Sequence, residues 1–204
     1  KNLVQEAQCN PNSFALIRRH ANGILTCLGM DFQEADKWLL KNIQNKKIDN
    51  LFVWEDELHS SLQDFKIYDK LDSRMKERAK EWFKKIEPHL LKTKTLDLGG
   101  GSGEVSKLMH EFGCSVTIAD VINWSKVKVP FISVENNKIN VKDNEFNQVI
   151  ILTVFHHTDD VLALVKEAFR VAKNRVIFIE SVTENPIGFS YGAWIDWFYN
   201  HIIH

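Results

Sequence analysis

The sequence predicts an α/β protein, a doubly wound and mostly parallel sheet preceded by an all-helical amino-terminal extension. Three observations carry that prediction. Apolar residues recur at helical spacing from the amino terminus to about residue 92. From Thr95 the pattern changes to short β-rich runs with helical runs between some of them. Two of those runs, "FNQVIILTV" and "NRVIFIES", are apolar almost throughout, which suits strands covered on both faces.

Taken in order, the first helix carries Phe14, Ile17, Ala21, Ile24, Leu25 and Leu28 on one face, with Asn12 or Ser13 as its cap and Gly29 as its stop. Asp31 and Glu34 have capping-box spacing ahead of a second helix with Ala35, Trp38, Leu39 and Ile43. Leu51, Trp54, Leu58, Leu62 and Phe65 fit a third. A fourth starts at Asp72 or Ser73, turns Met75, Ala79, Trp82, Phe83 and Ile86 inward, and ends near Pro88. Five strands follow, in "TLDLG", "SVTIAD", "FISVE", "FNQVIILTV" and "NRVIFIES", with helices over Glu104 to Phe112 and Asp160 to Ala172. The second of these helices lines up Val161, Leu164, Val165, Ala168 and Val171, and Asp159 and Asp160 read as its caps. The link from Val121 to Val129 is too short for a crossover helix, so a single turn or an extended stretch is expected there. The reading divides the chain into a helical cap or lid, residues 1–67, and a cofactor-binding domain, residues 68–204.

Bulk properties narrow the function. The 204 residues carry a formal net charge of −1 with 44% hydrophobic and 26% charged residues. Without a basic excess, a nucleic-acid partner is not expected. No apolar run approaches the roughly 18 residues of a membrane span, and no leader pattern opens the chain. Cys9, Cys27 and Cys114 are far apart and form no metal-binding or disulfide framework, so a reducing cytoplasm is the expected compartment. The start at Lys1 and the end at His204, within an aromatic-rich helical pattern, lead to the expectation of a piece of a longer protein.

The chemistry concentrates in "TLDLGGGSGEV", residues 95–105. Gly99, Gly100, Gly101 and Gly103 follow a strand directly and precede a helix start. Such a turn lets the backbone approach a ligand, and the helix that follows presents free N–H groups suited to an anion. A dinucleotide site is disfavoured, because the position that wants a small residue is Glu104. The phosphate-binding lysine loop is absent too. The pattern present is G-x-G-x-G with Asp97 two residues ahead of it. Asp97 can hold a cationic amine directly or through water, while the loop and helix start favour a carboxylate. Asp120, closing the second strand about 20 residues on, can accept hydrogen bonds from ribose hydroxyls. An amine, a carboxylate and a ribose together describe S-adenosylmethionine.

"LDLGGGSGEVSKLMHEFGCSVTIADV" resembles the first two motifs of the class I S-adenosylmethionine-dependent methyltransferases. "NKINVKDNEFNQVIILTVFHHTDD" resembles their fourth-strand motif, and "EAFRVAKNRVIFIES" their fifth strand with its preceding helix. The resemblance covers about residues 68 to 185. It is to the superfamily, the type 11-like small-molecule enzymes included, and implies a Rossmann-like sheet of order 3-2-1-4-5 followed by an antiparallel pair. No such terminal hairpin is evident in the sequence. By resemblance, Asp97, Gly99, Gly100, Gly101 and Gly103 hold the methionine part and Asp120 the ribose. Val121 lies beside the adenine, Glu135 or Asn136 near the adenine edge, and Thr153 and Val154 line the methyl-donor pocket. Asn147 departs from the family's usual Asp, as does Asn136-Asn137-Lys138 from its usual acidic-small pair.

The resemblance implies in-line methyl transfer to a small-molecule acceptor, with S-adenosylhomocysteine as product. Non-catalytic cofactor binding and a nicotinamide-dependent oxidoreductase are the competing readings. His156 and His157 stand where the fourth strand meets its loop. His156 is the candidate general base, with loop or cofactor shaping as the alternative; no metal site is expected. Glu180 ends the fifth strand and suits either an acceptor or the loop backbone. Ile187, Tyr191, Trp194, Ile195 and Phe198 have helical spacing in "IGFSYGAWIDWFYNHIIH". If the sheet ends at "VIFIE", that apolar edge needs a cover: residues 186–204, a second subunit in a homodimer, or sequence beyond this chain.

Overall fold

A computed structural model describes residues 11–44, 51–63, 65, 67–182, 192, 196 and 198. The chain divides into two compact units, Lys1–Arg74 with Thr183–His204, and Met75–Val182.

In the first unit α1 spans Pro11–Cys27, α2 Phe32–Leu39 and α3 Leu51–Leu62; α4 runs Ile67–Ile86, across the boundary between units. Proline opens α1, so Asn12 and Ser13 are its second and third residues and not caps. Of the apolar stripe read for it, Phe14, Ala21, Leu25 and Leu28 are buried, and Ile17 and Ile24 are half-buried at its margin. Asp31 caps α2 by accepting from the backbone N–H of Gln33 and Glu34. A single wider turn, Leu40–Gln44, prolongs α2 and buries Ile43. Arg18 and Asp36 tie α1 to α2 through a two-pronged ion pair, and Trp38 donates its indole N–H to Ser61 of α3 at 2.8 Å. The helix α4 begins at Ile67, several residues ahead of the Asp72 or Ser73 read as its start. Ile67 and Leu71 are both buried, and burying that pair outweighs a cap at a residue inside the helix.

The second unit holds the sheet. β1 spans Lys94–Leu98, β2 Ser115–Asp120, β3 Phe131–Glu135, β4 Lys138–Ile139, β5 Phe146–Leu152 and β6 Ala172–Ile179, in the order β4-β3-β2-β1-β5-β6. β3, β2, β1, β5 and β6 are parallel, which is the expected 3-2-1-4-5 arrangement in strand-motif numbering. The addition is β4, antiparallel to β3. Asn136 and Asn137 both have positive φ, 50° and 58°, the geometry of a tight hairpin turn that asparagine tolerates. The link 121–130 is irregular, as its length demanded.

The sheet is covered on both faces. The helix α5, Glu104–Phe112, and the end of α4 pack Met109 and Ile86 on one face against Val116 and Ile150. The helix α6, Val161–Val171, packs Leu164, Ala168 and Val171 on the other, against Leu96, Leu98, Val149 and Ile151. This is why β5 reads as a continuous apolar run; β6, the other run read as covered on both faces, is mostly exposed or half-buried, because it lies at the edge of the sheet among the described residues. The edge strand β6 pairs only with β5 among the described residues. Residues 186–204, named as its cover, lie almost wholly outside the described residues. No helix among the described residues is long and apolar enough to cross a membrane.

Candidate cofactor site

β1 sits at the point where the strand order reverses: the chain passes from it to β2 on one side, and β5 flanks it on the other. In open α/β sheets the loops at the carboxyl ends of strands part there and leave a crevice. The glycine loop that follows β1 and the turn that follows β5 form its two walls. They meet at Gly99, where an added Cβ would lie 2.4 Å from Val154 Cγ2. Gly99 also has φ +77°, so no other residue fits the position. At Gly101, by contrast, an added Cβ would meet nothing within 4 Å, so the loop faces open space there.

The far side of the loop is held by the link after β2. Lys126 N–H donates to Ser102 carbonyl at 3.0 Å, and Ser125 and Val127 crowd Gly103. Val121, Ile122 and Trp124 on that link are exposed. Val121, read as the adenine neighbour, is among them.

Two carboxylates flank the loop. Asp97 is turned inward beneath it, only 3% exposed, and accepts a 2.5 Å hydrogen bond from Ser106 Oγ in the first turn of α5. Burial pushes its carboxyl up to about 6, with nearby Asp120 adding to the rise and Ser106 opposing it. Asp120 stands at the end of β2. Its Oδ2 accepts from Gly101 N–H at 3.0 Å and its Oδ1 from its neighbour Val121 N–H at 2.7 Å. No basic side chain pairs with either carboxylate among the described residues. The structure therefore places Asp97 as a buried charge under the loop, with Ser106 as a partner the sequence did not reveal. A serine in the first turn of a helix has no pattern that would mark it.

On the β5 side, Thr153 adopts φ 55°, a left-handed conformation that a β-branched residue takes only under strain. Its N–H donates to Ile179 carbonyl at 2.8 Å, which pins the turn to β6. This turn sends Val154 over Gly99 and places Phe155, His156 and His157 in a short helical turn. Glu180, just past β6, gathers them: it accepts from Phe155 N–H at 2.8 Å, His156 Nδ1–H at 2.9 Å and Ser181 N–H at 2.9 Å. Burial pushes the Glu180 carboxyl up, but these donors outweigh it and hold it below its ordinary value. The loop-backbone role read for Glu180 is present, and the same carboxylate also orients His156.

Glu135 and Asn136 sit at the carboxyl end of β3, both exposed, with Asn136 inside the hairpin turn. A network missed in the sequence fixes this region. Glu167 on α6 is buried and accepts from Ile139 N–H at 2.8 Å and from Arg170 at 2.6 and 2.9 Å. Arg170 also donates to the carbonyls of Val141 and Ile139 and to Asp143. The Glu-x-x-Arg spacing in "EAFR" was the available signal.

Comparison with known proteins agrees with this layout. A family profile described as a methyltransferase domain matches residues 71–202. No curated protein sequence matches the chain at a significant level. Among solved structures, a Thermotoga maritima protein described as an S-adenosylmethionine-dependent methyltransferase superposes with a TM-score of 0.51 at 15% identity, covering 67% of each chain. A Bacillus halodurans protein described as a methyltransferase gives 0.50 at 18% identity, covering 59% of this chain and 60% of that one. A Pyrococcus horikoshii protein gives 0.46 at 22% identity, over 57% and 61%. The chain thus spans 60–61% of the length of two of these structures. With residues 71–202 matched and the strand order and glycine loop in place, the chain belongs to the methyltransferase-domain family and has the class I, Rossmann-like fold of the S-adenosylmethionine-dependent methyltransferases.

Proposed function

We propose that the chain is an S-adenosylmethionine-dependent methyltransferase acting on a small-molecule acceptor. The carboxylate pair at the glycine loop carries this reading. Asp97 and Asp120 place negative charge on both sides of a loop that opens onto free space at Gly101, and no basic side chain pairs with either among the described residues. A cationic ligand that carries a diol meets both needs, and a pyrophosphate meets neither. When bound, S-adenosylmethionine supplies a methyl group on a sulfonium, already electrophilic.

The chain's part is to bind and align. Each Asp120 oxygen keeps a lone pair beyond its backbone bond, enough for two ribose hydroxyls. Asp97 acts on the ammonium as a buried charge. Gly99, Gly100, Gly101 and Gly103 give the methionine part close access to backbone, and Val121 with Glu135 or Asn136 borders the adenine. Thr153 and Val154 form the wall nearest the methyl group. Holding donor and acceptor in line is the main source of rate in such a reaction. In this reading residues 68–204 are the methyl-transfer domain and residues 1–67 its helical cap.

Calorimetry with S-adenosylmethionine tests the proposal. Binding is expected to weaken at least about tenfold in Asp120→Ala, as loss of hydrogen bonds to a charged group predicts. Absence of binding to the unaltered, folded chain would sink the reading, and an unchanged affinity in the variant would remove Asp120 from the site.

A further inference from the structure

We infer that Ser106 is a positioning residue of the cofactor site: its hydroxyl engages one oxygen of Asp97 and so presents the other, Oδ1, to the ammonium group of the cofactor. The inference rests on the methyl-transfer reading and adds to it the residue that governs the amine subsite.

The packing around the carboxylate carries the inference. Ser106 is wholly buried in the first turn of α5, where a serine ordinarily turns its hydroxyl to water or to the carbonyl one turn back. Here the hydroxyl crosses to β1 and donates to Asp97 Oδ2 at 2.5 Å, the separation of an O–H group on an ionised oxygen. Gly100 closes on the same oxygen from the loop. A Cβ added to Gly100 would lie 3.0 Å from Asp97 Oδ2 and 3.1 Å from Ile118 Cγ2. Gly99, Gly101 and Gly103 have positive φ and Gly100 does not, so its missing side chain answers to Asp97 and not to backbone conformation. Oδ2 is thus enclosed between Ser106 and Gly100, which fixes how the carboxylate is turned.

Oδ1 is left in a different state. It has no hydrogen-bond partner, although the side chain is only 3% exposed. Among the described residues no fully buried side-chain oxygen lacks a partner, so Oδ1 keeps a contact with solvent and is the oxygen open to a small donor. An ammonium group meets it with one charge-assisted N–H and keeps two for other acceptors. Asp120 on β2 is the charged group whose field acts on Asp97, and it opposes ionisation, as burial does. On the other side of β1, β5 carries no charged residue, and Glu104 and Lys107 of α5 do not act on Asp97. The Ser106 hydrogen bond is what favours the ionised form. Its loss therefore frees the carboxylate to turn and lets it take up a proton at higher pH, and a protonated carboxyl does not hold an ammonium group.

Calorimetry on the whole chain across pH 5 to 8 tests this with two probes. One is S-adenosylmethionine. The other is 5′-methylthioadenosine, which keeps the nucleoside and the sulfur but has neither amine nor carboxylate. In the parent, affinity for S-adenosylmethionine is expected to fall as pH is lowered through about 6, where Asp97 takes up its proton. Ser106→Ala is expected to lower that affinity about tenfold at pH 7.5 and to move the fall to higher pH. Affinity for 5′-methylthioadenosine is expected to be unchanged by the substitution. Ser106→Cys keeps the volume of the side chain with a weaker donor and is expected to move the profile the same way, so it serves if Ser106→Ala fails to fold. A profile that keeps its midpoint in a folded variant, or an equal loss of affinity for both probes, overturns the role of Ser106. A parent that binds S-adenosylmethionine equally well across this range overturns Oδ1 as the partner of the amine. A parent that binds no S-adenosylmethionine at any pH fails the methyl-transfer reading itself.

Discussion

Asp97 is a charge placed where the free protein would rather not have one. Its folded value of about 6 exceeds the ordinary 3.8, with burial the main cause. The raised value means the folded state holds the proton more tightly than the unfolded state. Its favourable contribution is therefore complete at acidic pH and is lost as pH rises from the ordinary value through about 6. At neutral pH the cofactor-free chain carries a cost of roughly 3 kcal/mol from this group. Asp97→Asn keeps an oxygen for Ser106 and removes the charge. Thermal melts are expected to show the variant more stable than the parent at pH 7.5 and no more stable at pH 4, with cofactor affinity at pH 7.5 reduced at least about tenfold. Equal melting temperatures at pH 7.5 would show that the buried charge costs nothing. The strain at Thr153 is a second local cost. Glycine there is expected to leave stability unchanged or raise it by up to about 1 kcal/mol, relief of strain being partly offset by glycine's entropy. Urea denaturation of Thr153→Gly measures the balance, and a large loss of stability would contradict the reading of strain.

At the scale of elements, the Glu167–Arg170 pair decides where the stretch between β3 and β5 lies. One buried carboxylate meets Ile139 N–H and Arg170, and Arg170 in turn meets two carbonyls and Asp143. The guanidinium beside it is the largest cause holding the Glu167 carboxyl down to about 2, against a smaller opposing effect of burial. A depressed carboxylate stabilises the fold above its ordinary range and loses that contribution as pH falls from about 4.5 toward 2. Glu167→Gln is expected to cost about 2–3 kcal/mol at pH 7 in urea denaturation, since it removes the buried carboxylate partner of Arg170 and leaves only the exposed Asp143 to balance its charge. The difference from the parent should shrink as pH is lowered toward 2, and a difference that stays constant would refute the charge argument. The hairpin turn Asn136-Asn137 depends on the same anchor, because Ile139 of β4 is what Glu167 grips.

For the whole molecule, a ligand that binds only the folded state raises stability by mass action, about 2.7 kcal/mol at a hundred times its dissociation constant. S-adenosylmethionine is expected to raise the melting temperature of the chain and NAD to leave it unchanged, because the loop offers two carboxylates and no cation to a pyrophosphate. Thermal-shift measurements with both ligands check this, and stabilisation by NAD alone would reverse the assignment. The layered sheet explains why so much of this architecture could be read in advance. β5 is buried on both faces along most of its length, so its apolar run stands out, while β1 buries Thr95 and Asp97 beside Leu96 and Leu98 and is marked instead by the glycine loop that follows it. Gly99 and Gly101 have positive φ, and Gly99 has no room for a Cβ beside Val154, so the loop's composition is forced by geometry.

The sequence by itself determined the alternation of elements, the glycine loop and the two acids that flank it, because period, turn chemistry and acid spacing are local properties of the chain. It also marked His156 as a candidate base. It could not show that Asp97 lies beneath the loop with Ser106, or that Glu167 reaches Ile139 across 28 residues. Nor could it show that Glu180 meets a histidine 24 residues earlier in the chain. Those contacts join side chains on different elements, so only the pairing of parallel strands and the packing of helices on them decide who meets whom. The start of α4 failed for the same reason: Asp72 looks like a cap locally, and the burial of Ile67 and Leu71 overrides it. Local chemistry marked the glycine loop and its acids, and tertiary packing decided which side chains surround them.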